Sequence, residues 1–253
     1  MCIVFIAINQ HPDYPLIVCA NRDEFHLRPT QSAHIWPDKQ QLIAGKDLQG
    51  GGTWFGVNQV GDFCTITNIR VAEQQLNMQS RGELVVNTLL HPSTINADWL
   101  ALHYQQFNPF NLLFSRQQQI YCFHSPSQEM RQLKDGFHAV CNGALDDNWP
   151  KMAKGQQALE QLINQQADID VDALLNLLKD QSQAPDESLP NTGVSLEWER
   201  QLSAIFICQP EYGTRSSTVL LMDNHKQLQL TEVSYTPTGK PFNRQTFHLP
   251  TAK

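Results

Sequence analysis

The sequence predicts an α+β fold of two largely antiparallel sheets, with helices on their outer faces. Strand patterns occupy the first and last thirds of the 253 residues and helical patterns the middle, without the regular strand–helix alternation of a parallel sheet. Hydrophobic residues make up 41% of the chain and charged residues 17%, which is enough to bury a large core. We interpret residues 1–253 as one domain.

The first third of the chain is predicted to contain two hairpins. The apolar runs "CIVFIAIN" and "LIVCAN" flank "QHPDYP", a turn bracketed by prolines. In the same way "TWFGVN" and "FCTITNIR" flank "QVGD". The three consecutive glycines of "QGGGTWFGVN" are not followed by a helix, so we interpret them as turn or ligand-contact residues and not as a phosphate loop.

Helical patterns follow. "SRGELVVNTLLHP" begins with Ser80 and Glu83 at the spacing of a capping box and stops before a proline, which predicts a helix over residues 81–90. "ADWLALHYQQF", "PKMAKGQQALEQLINQ" and "DVDALLNLLKD" repeat apolar residues at helical spacing, and Pro150 suits a first helical turn. The polar segment "QSQAPDESLPNTG" is predicted to be a loop.

The remaining apolar runs are predicted to be strands. They are "NLLFSRQQQIYCFHS", which reads as a strand pair, and "LSAIFIC", "SSTVLLMD", "QLQLTEVSY" and "RQTFHL". All six cysteines except Cys2 lie in strand-like apolar runs, and no CxxC occurs. We therefore expect five buried, reduced thiols, Cys208 included.

Composition and motifs exclude several classes of function. A formal charge of −7 without clustered Lys and Arg argues against nucleic-acid binding. The first apolar run ends at Asn9, and no stretch has membrane-spanning length, so a soluble, cytoplasmic protein is expected. The chain shows no GxGxxG, HExxH or histidine pair at i, i+4, so no metal, nucleotide or flavin site is predicted.

The first chemical feature is Cys2. A methionine before a small residue is normally removed, which would leave Cys2 with a thiol and a free α-amine of pKa about 8. One residue would then hold both nucleophile and base, as in N-terminal-nucleophile hydrolases. The run "CIVFIAIN" would place this residue at the start of a strand.

The second feature is the end of "LIVCANRDEF". Here an apolar strand passes directly into Asn21, Arg22, Asp23 and Glu24. Buried charges need partners, so these side chains are expected to pair with each other and with groups in a cleft. Strand alternation puts Arg22 and Glu24 on one face and Asp23 on the other, and either set could lie beside Cys2. The alternative is an internal salt bridge that braces the following turn.

The order of these residues resembles the cholylglycine hydrolase and penicillin V acylase branch of the N-terminal-nucleophile hydrolases. The further matching residues are Asn68 in "TITNIR", Asn142 in "VCNGALDDNWPK" and Arg215 in "YGTRSS". That branch has two residues between its Arg and Asp, whereas Arg22 and Asp23 are adjacent.

This resemblance implies an amidohydrolase. Cys2 would attack a linear amide while its amine shuttles the proton. Asn68 and Asn142 would stabilise the oxyanion, and Arg22, Asp23 and Arg215 would orient the nucleophile.

A closer resemblance covers nearly the whole chain. The strings "ANRDEF", "GGTWFGVN", "TNIR", "SRGELV", "CNGALDDNWPK" and "YGTRSSTVLL" are similar to the NRDE family, the relatives of the eukaryotic transport and Golgi organisation protein 2. The resemblance implies an N-terminal-nucleophile-like αββα sandwich. It also implies a role in intracellular haem trafficking, with acyl-coenzyme A or lipid binding as a competing proposal.

As a carrier, the protein would hold haem as cargo and exchange it with haem-donating or haem-accepting proteins. Arg22 or Arg215 would meet the propionates, and Trp54 would form part of the pocket wall. His26 and His138 are the candidate axial ligands. We take haem trafficking as the expected role and leave the amidohydrolase as the alternative.

Overall fold

The computed structural model describes residues 2–71, 73–165 and 168–249. Within these residues the strands are β1 (Cys2–Ile8), β2 (Leu16–Phe25), β3 (Thr30–Ile35), β4 (Leu42–Asp47), β5 (Phe55–Asn58), β6 (Phe63–Asn68), β7 (Phe110–Arg116), β8 (Gln119–His124), β9 (Glu129–Gln132), β10 (Gly136–Val140), β11 (Tyr212–Met222), β12 (Leu228–Tyr235) and β13 (Pro241–Leu249). The α-helices are α1 (Arg81–Leu90), α2 (Ala97–His103), α3 (Pro150–Gln165), α4 (Val171–Leu177) and α5 (Leu196–Gln201).

The described strands form two sheets. One has the order β10-β1-β2-β11-β12-β13 and the other the order β3-β4-β5-β6-β7-β8-β9. Neighbouring strands pair antiparallel in both sheets. The predicted antiparallel α+β class is therefore confirmed.

Three apolar clusters hold four layers together. One lies between the sheets and includes Val4, Val18 and Leu113. A second joins the outer face of the first sheet to α3 and α4, and a third joins the outer face of the second sheet to α1 and α2. Each sheet is thus covered by helices on its outer face, which gives an αββα sandwich.

The predicted hairpins and helices are confirmed in place. β1 and β2 pair so that Cys2 lies opposite Arg22 and Ile8 opposite Leu16. β5 and β6 form the second hairpin, and α1 covers the predicted residues 81–90. Ser80 is its N-cap residue, but its side chain makes no capping bond, so the predicted capping box is wrong.

The predicted strand "LSAIFIC" is wrong. Residues 202–208 are irregular apart from one isolated bridge between Cys208 and Gly213. Their backbone groups bond to neighbours outside a ladder, for instance Phe206 N to Asp180 O at 2.8 Å and Ile207 N to Thr214 Oγ1 at 2.9 Å. Because no strand encloses it, Cys208 is exposed, whereas the other four cysteines predicted to be buried are buried.

Several elements had no clear sequence signal. β3, β4 and α5 were not predicted, because "TQSAHI", "LIAGKD" and "LEWERQ" mix polar and apolar residues without a sustained period.

In the described residues no helix combines the length and apolar character needed to cross a membrane.

Candidate functional site

A cleft of about 340 Å³ opens at the end of the sandwich where β1 begins and β2 ends. The lining is mostly polar and comes from both sheets and from the start of α1. It comprises Cys2, Arg22, Asp23, Glu24, Arg28, Asp47, Gln49, Gly50, Thr53, Trp54, Ile66, Asn68, Gln74, Met78, Gln79, Ser80, Arg81, Gly82 and Asn108. The structure thus brings the predicted residues Cys2, Asn68 and the charges of the 21–24 stretch to one place.

Cys2 is the first described residue and the first residue of β1. It is 9% exposed, and burial raises the pKa of its thiol. At neutral pH the thiol is therefore protonated, and its use as a nucleophile or metal ligand requires loss of this proton. Met1 lies outside the described residues, so its predicted removal stays a prediction.

Strand β2 continues through Phe25, so the 21–24 residues alternate between two environments. Arg22 lies across from Cys2 and faces the second sheet. Asn21 faces the helices, where its amide donates to Leu178 O at 2.8 Å and Ile205 O at 2.9 Å. Asn21 therefore holds the first sheet against its helical cover and does not reach the cleft.

Asp23 lies at the edge between these environments. Its Oδ1 accepts a hydrogen bond from Thr214 Oγ1 at 2.7 Å, and the carboxyl also lines the cleft. Burial raises the pKa of Asp23, while the positive charges of Lys151 and Arg22 oppose this shift. Asp23 is consequently a buried titratable group of the first sheet at the Cys2 end of the cleft, next to Glu24.

Arg22 is fixed from three sides. Its guanidinium donates to Thr30 Oγ1 at 3.0 Å and to Asp47 Oδ2 at 3.2 Å, and it lies 4.3 Å from the ring centroid of Trp54. Arg28 also binds Asp47, with its Nε 2.7 Å from the same oxygen. Burial of Asp47 acts to raise its pKa, but hydrogen bonds from Gly50 N and Arg28 outweigh this effect, and the pKa of Asp47 is lowered. A buried cation held this way is a rigid part of the cleft wall.

The two predicted asparagines form one unit. Asn68, at the end of β6, lines the cleft, and Asn142 lies behind it with its Nδ2 donating to Asn68 O at 2.8 Å. Arg70 is fixed beside this pair. Its backbone N donates to Asn142 O at 2.9 Å, and its Nη1 forms an ion pair with Glu199 Oε2 at 2.5 Å. Both ion-pair side chains are 4% exposed. Asn142 therefore positions Asn68 and does not itself line the cleft.

Three other predicted residues are not brought into the cleft. Arg215 lies in a bulge of β11, and its Nη1 donates to the carbonyls of Phe25, His26 and Arg28, so it fixes the turn after β2. His26 Nε2 bonds to Gln209 O at 2.9 Å. Both ring nitrogens of His138 are engaged, by Asp146 and by the carbonyl of Lys134.

Arg81 is a cleft residue that the sequence reasoning missed. It is the first residue of α1, and its Nη1 donates to Pro109 O at 3.1 Å. Burial lowers the pKa of Arg81 to about 10, so it remains charged at neutral pH. Among the described residues it forms no ion pair with a carboxylate. The string "SRGELV" was the signal, but its helical pattern carried no hint of a role for the arginine.

The start of α1 is held at the cleft by a glycine contact. A Cβ on Gly52 would lie 2.1 Å from the carbonyl carbon of Gly82, so only glycine permits this approach. Thr53 N also donates to Gly82 O at 3.1 Å. At Gly52 the glycine run thus allows close backbone packing against α1 beside the cleft, a role that was not predicted from the sequence.

Comparisons with known proteins agree with this architecture. The family model described as "Transport and Golgi organisation 2" matches residues 1–237. A Transport and Golgi organization protein 2 homolog from Bos taurus is 30% identical over 264 residues, covering 92% of this chain and 93% of that protein. The Homo sapiens homolog is 29% identical over 260 residues, with the same two coverages.

A solved structure supplies the fold comparison. The mutant C2A conjugated bile acid hydrolase from Clostridium perfringens superimposes with a TM-score of 0.50 at 8% sequence identity, covering 99% of this chain and 92% of that one. At such low identity the likeness shows the fold alone. The N-terminal-nucleophile-hydrolase-like sandwich expected from the sequence is confirmed.

Proposed function

Because this chain belongs to the Transport and Golgi organisation 2 family, we propose that its cleft holds haem reversibly as cargo for intracellular trafficking. The NRDE resemblance implies this role. The supporting observation is that sulfur donors and arginines line the same cleft.

The donors favour iron ligation by sulfur over ligation by histidine. Cys2 and Met78 both line the cleft, while His26 and His138 do not. Thiolate and thioether are both established axial ligands of haem iron. Since burial raises the pKa of the Cys2 thiol, ligation has to displace a proton, which weakens it and suits a cargo that must be released.

The arginines of the cleft would bind the haem propionates. Arg22 is already bound to Asp47 and Thr30, and Arg28 is bound to Asp47, so both are partly neutralised. Arg81 is not paired with a carboxylate in the described structure, which leaves it as the first choice for a ligand carboxylate. The apolar edge of the ring would contact Trp54 and Ile66.

Spectroscopic haem titration tests the proposal. Arg81→Ala should weaken haem binding about tenfold or more, because it removes a charge-assisted bond of roughly 1.5 to 3 kcal/mol. Cys2→Ala or Met78→Leu should move the Soret band if the sulfur ligates iron. Arg244→Ala is the matched control, because Arg244 is an exposed arginine of β13 paired with Asp172. Absence of saturable haem binding to the wild-type protein would contradict the proposal.

The second candidate is an N-terminal cysteine amidohydrolase. It is favoured by the position of Cys2 at the start of β1, opposite Arg22 and near Asp23 and Asn68. After removal of Met1, the α-amine would take the thiol proton and sulfur would attack the amide carbon. The substrate's amine then takes that proton from the Cys2 α-amine and leaves, which gives a thioester on Cys2. Water finally hydrolyses this thioester. Asn68, fixed by Asn142, would face the oxyanion.

Two measurements separate the candidates. Intact-mass analysis shows whether Met1 is removed, and a retained Met1 excludes the amidohydrolase. A screen of acyl amides with wild type and Cys2→Ala then tests turnover. Displacement of bound haem by acyl-coenzyme A would instead favour the acyl-coenzyme A or lipid ligand, whose anionic groups would use the same arginines.

A further inference from the structure

A second cavity lies at the opposite end of the sandwich from the cleft. β1 and β2 pair Cys2 with Arg22 at the cleft end and Ile8 with Leu16 at the other, roughly 20 Å away at about 3.4 Å per residue. This far cavity has a volume of about 620 Å³ and lies among the β5–β6, β7–β8 and β11–β12 turns. A space of this size accommodates a small organic molecule.

The floor of the far cavity is apolar. Leu16 and Ile120 belong to the core between the sheets, and Ile8 and Met222 pack against that core. At the mouth, Val60 is 60% exposed. A ligand with an apolar body would cover the exposed parts of Ile8, Met222 and Val60 and remove that surface from water.

One carboxylate, that of Asp62, lines the far cavity without a cationic partner among the described residues. Asp62 is half-buried, and its carboxylate accepts a long bond of 3.4 Å from Ser115 Oγ and contacts the side chain of Asn58. It forms no ion pair in the described part of the chain. Burial raises the pKa of Asp62, with the charge of Arg116 opposing the shift. Asp223 also lines the cavity, but its Oδ1 accepts from two backbone N–H groups of its own turn. The cation of the lining, Lys226, is exposed.

We propose that the far cavity binds a small amphipathic amine, whose ammonium group pairs with Asp62 and whose apolar body lies on Ile8, Leu16 and Met222. An anion would meet two carboxylates, and a neutral molecule would leave Asp62 without a cationic partner. The site is independent of the cleft and of any haem bound there.

Amide chemical shifts measured by NMR test this site with hexylamine, 1-hexanol and hexanoate as probes at neutral pH. Hexylamine should shift the amides of residues 60–62 and 115–120 in a saturable way and bind about fivefold more tightly than hexanol. Asp62→Asn should remove this preference and leave hexanol binding unchanged. Asp38→Asn, which removes an exposed carboxylate of the β3–β4 turn, should retain it.

Two further variants locate the site. Met222→Trp should weaken both hexylamine and hexanol by filling the cavity, with thermal unfolding used to show that the variant is folded. Arg81→Met should change neither. Equal binding of hexylamine and hexanol, an unchanged hexylamine affinity in Asp62→Asn, or shifts confined to the Cys2 end would each overturn the proposal.

Discussion

The two ends of the β1–β2 hairpin differ in how their buried charged side chains are paired. At the cleft end, Arg22 contacts Asp47, Thr30 and Trp54, and Arg70 behind the cleft pairs with Glu199. At the far end, the Asp62 carboxylate contacts the neutral side chains of Ser115 and Asn58 and, among the described residues, forms no ion pair. Cross-bracing of this kind fixes a polar arrangement at a cost in desolvation, whereas the far end keeps a charge that a ligand can still pair. At the cleft end Arg22 and Arg70 are therefore fixed by carboxylates, whereas Asp62 at the far end has only neutral hydrogen-bond partners.

Removal of a brace at the cleft end should give the largest effect. Glu199→Ala leaves Arg70 buried without its partner, so we expect a loss of about 3 to 5 kcal/mol in the free energy of unfolding. Urea denaturation measures it. Glu197→Ala, on the same helix in an exposed pair with Arg200, should change little. Equal losses in the two variants would mean that the ion pair behind Asn142 is not a brace.

The next effect concerns pH. Glu232 is buried between the sheets, where its Oε1 accepts from Ala33 N at 2.6 Å, and burial raises its pKa to about 7. The unfolded chain ionises nearer pH 4, so this group stabilises the fold at low pH and that contribution disappears as pH rises towards 7. The free energy of unfolding of Glu232→Gln, taken relative to that of the wild type, should therefore be about 3 kcal/mol more favourable at pH 8 than at pH 4.

Unfolding of wild type and Glu232→Gln at both pH values checks this difference. Glu160→Gln on the exposed face of α3 serves as the control. A variant whose stability follows the wild type at both pH values would show that Glu232 titrates normally.

A backbone contact gives a smaller effect. Gly52→Ala puts a Cβ against the backbone of Gly82, and overpacking of this kind costs about 1 to 3 kcal/mol. Haem affinity should fall too, because the start of α1 with Arg81 moves. In Gly50→Ala the added atom meets side-chain atoms of Arg28, Ser80 and Asp47 at 3.2 Å or more and no backbone, so this control should remain stable. Intact stability in Gly52→Ala would show that the α1 contact is adaptable.

The far end should respond least and in the opposite direction. Asp62→Asn removes a half-buried carboxylate whose pKa burial raises, so stability at neutral pH should rise by less than about 1 kcal/mol. Thermal unfolding at neutral pH measures the gain. A clear loss of stability would mean that Asp62 is a structural brace, and the contrast between the two ends would disappear.

Much of the fold was predictable where a local pattern was strong. The hairpin through "HPDYP" places Cys2 opposite Arg22 because a short antiparallel turn determines the register. The helix at 150–165 follows from apolar spacing. The helix at 81–90 was predicted from the Ser80–Glu83 spacing and the proline after it, and it forms although Ser80 makes no capping bond. Where burial lacked a period, sequence reasoning gave the wrong element, as in residues 202–208, an irregular segment whose apolar side chains are buried as far as Ile207.

The site divides along the same line. By itself, the sequence determined that Cys2 starts a strand and that the 21–24 stretch lies beside it, since one hairpin joins them. It left open whether Arg22 or Asp23 is the neighbour of Cys2, and the structure pairs Cys2 with Arg22. Only the tertiary structure decided that Arg81 and Met78 line the same cleft, that Glu199 fixes Arg70 and that Arg215 stays outside. Those contacts join segments up to 190 residues apart, as Arg215 and Phe25 are, and no local propensity reports which distant side chains meet once the layers pack.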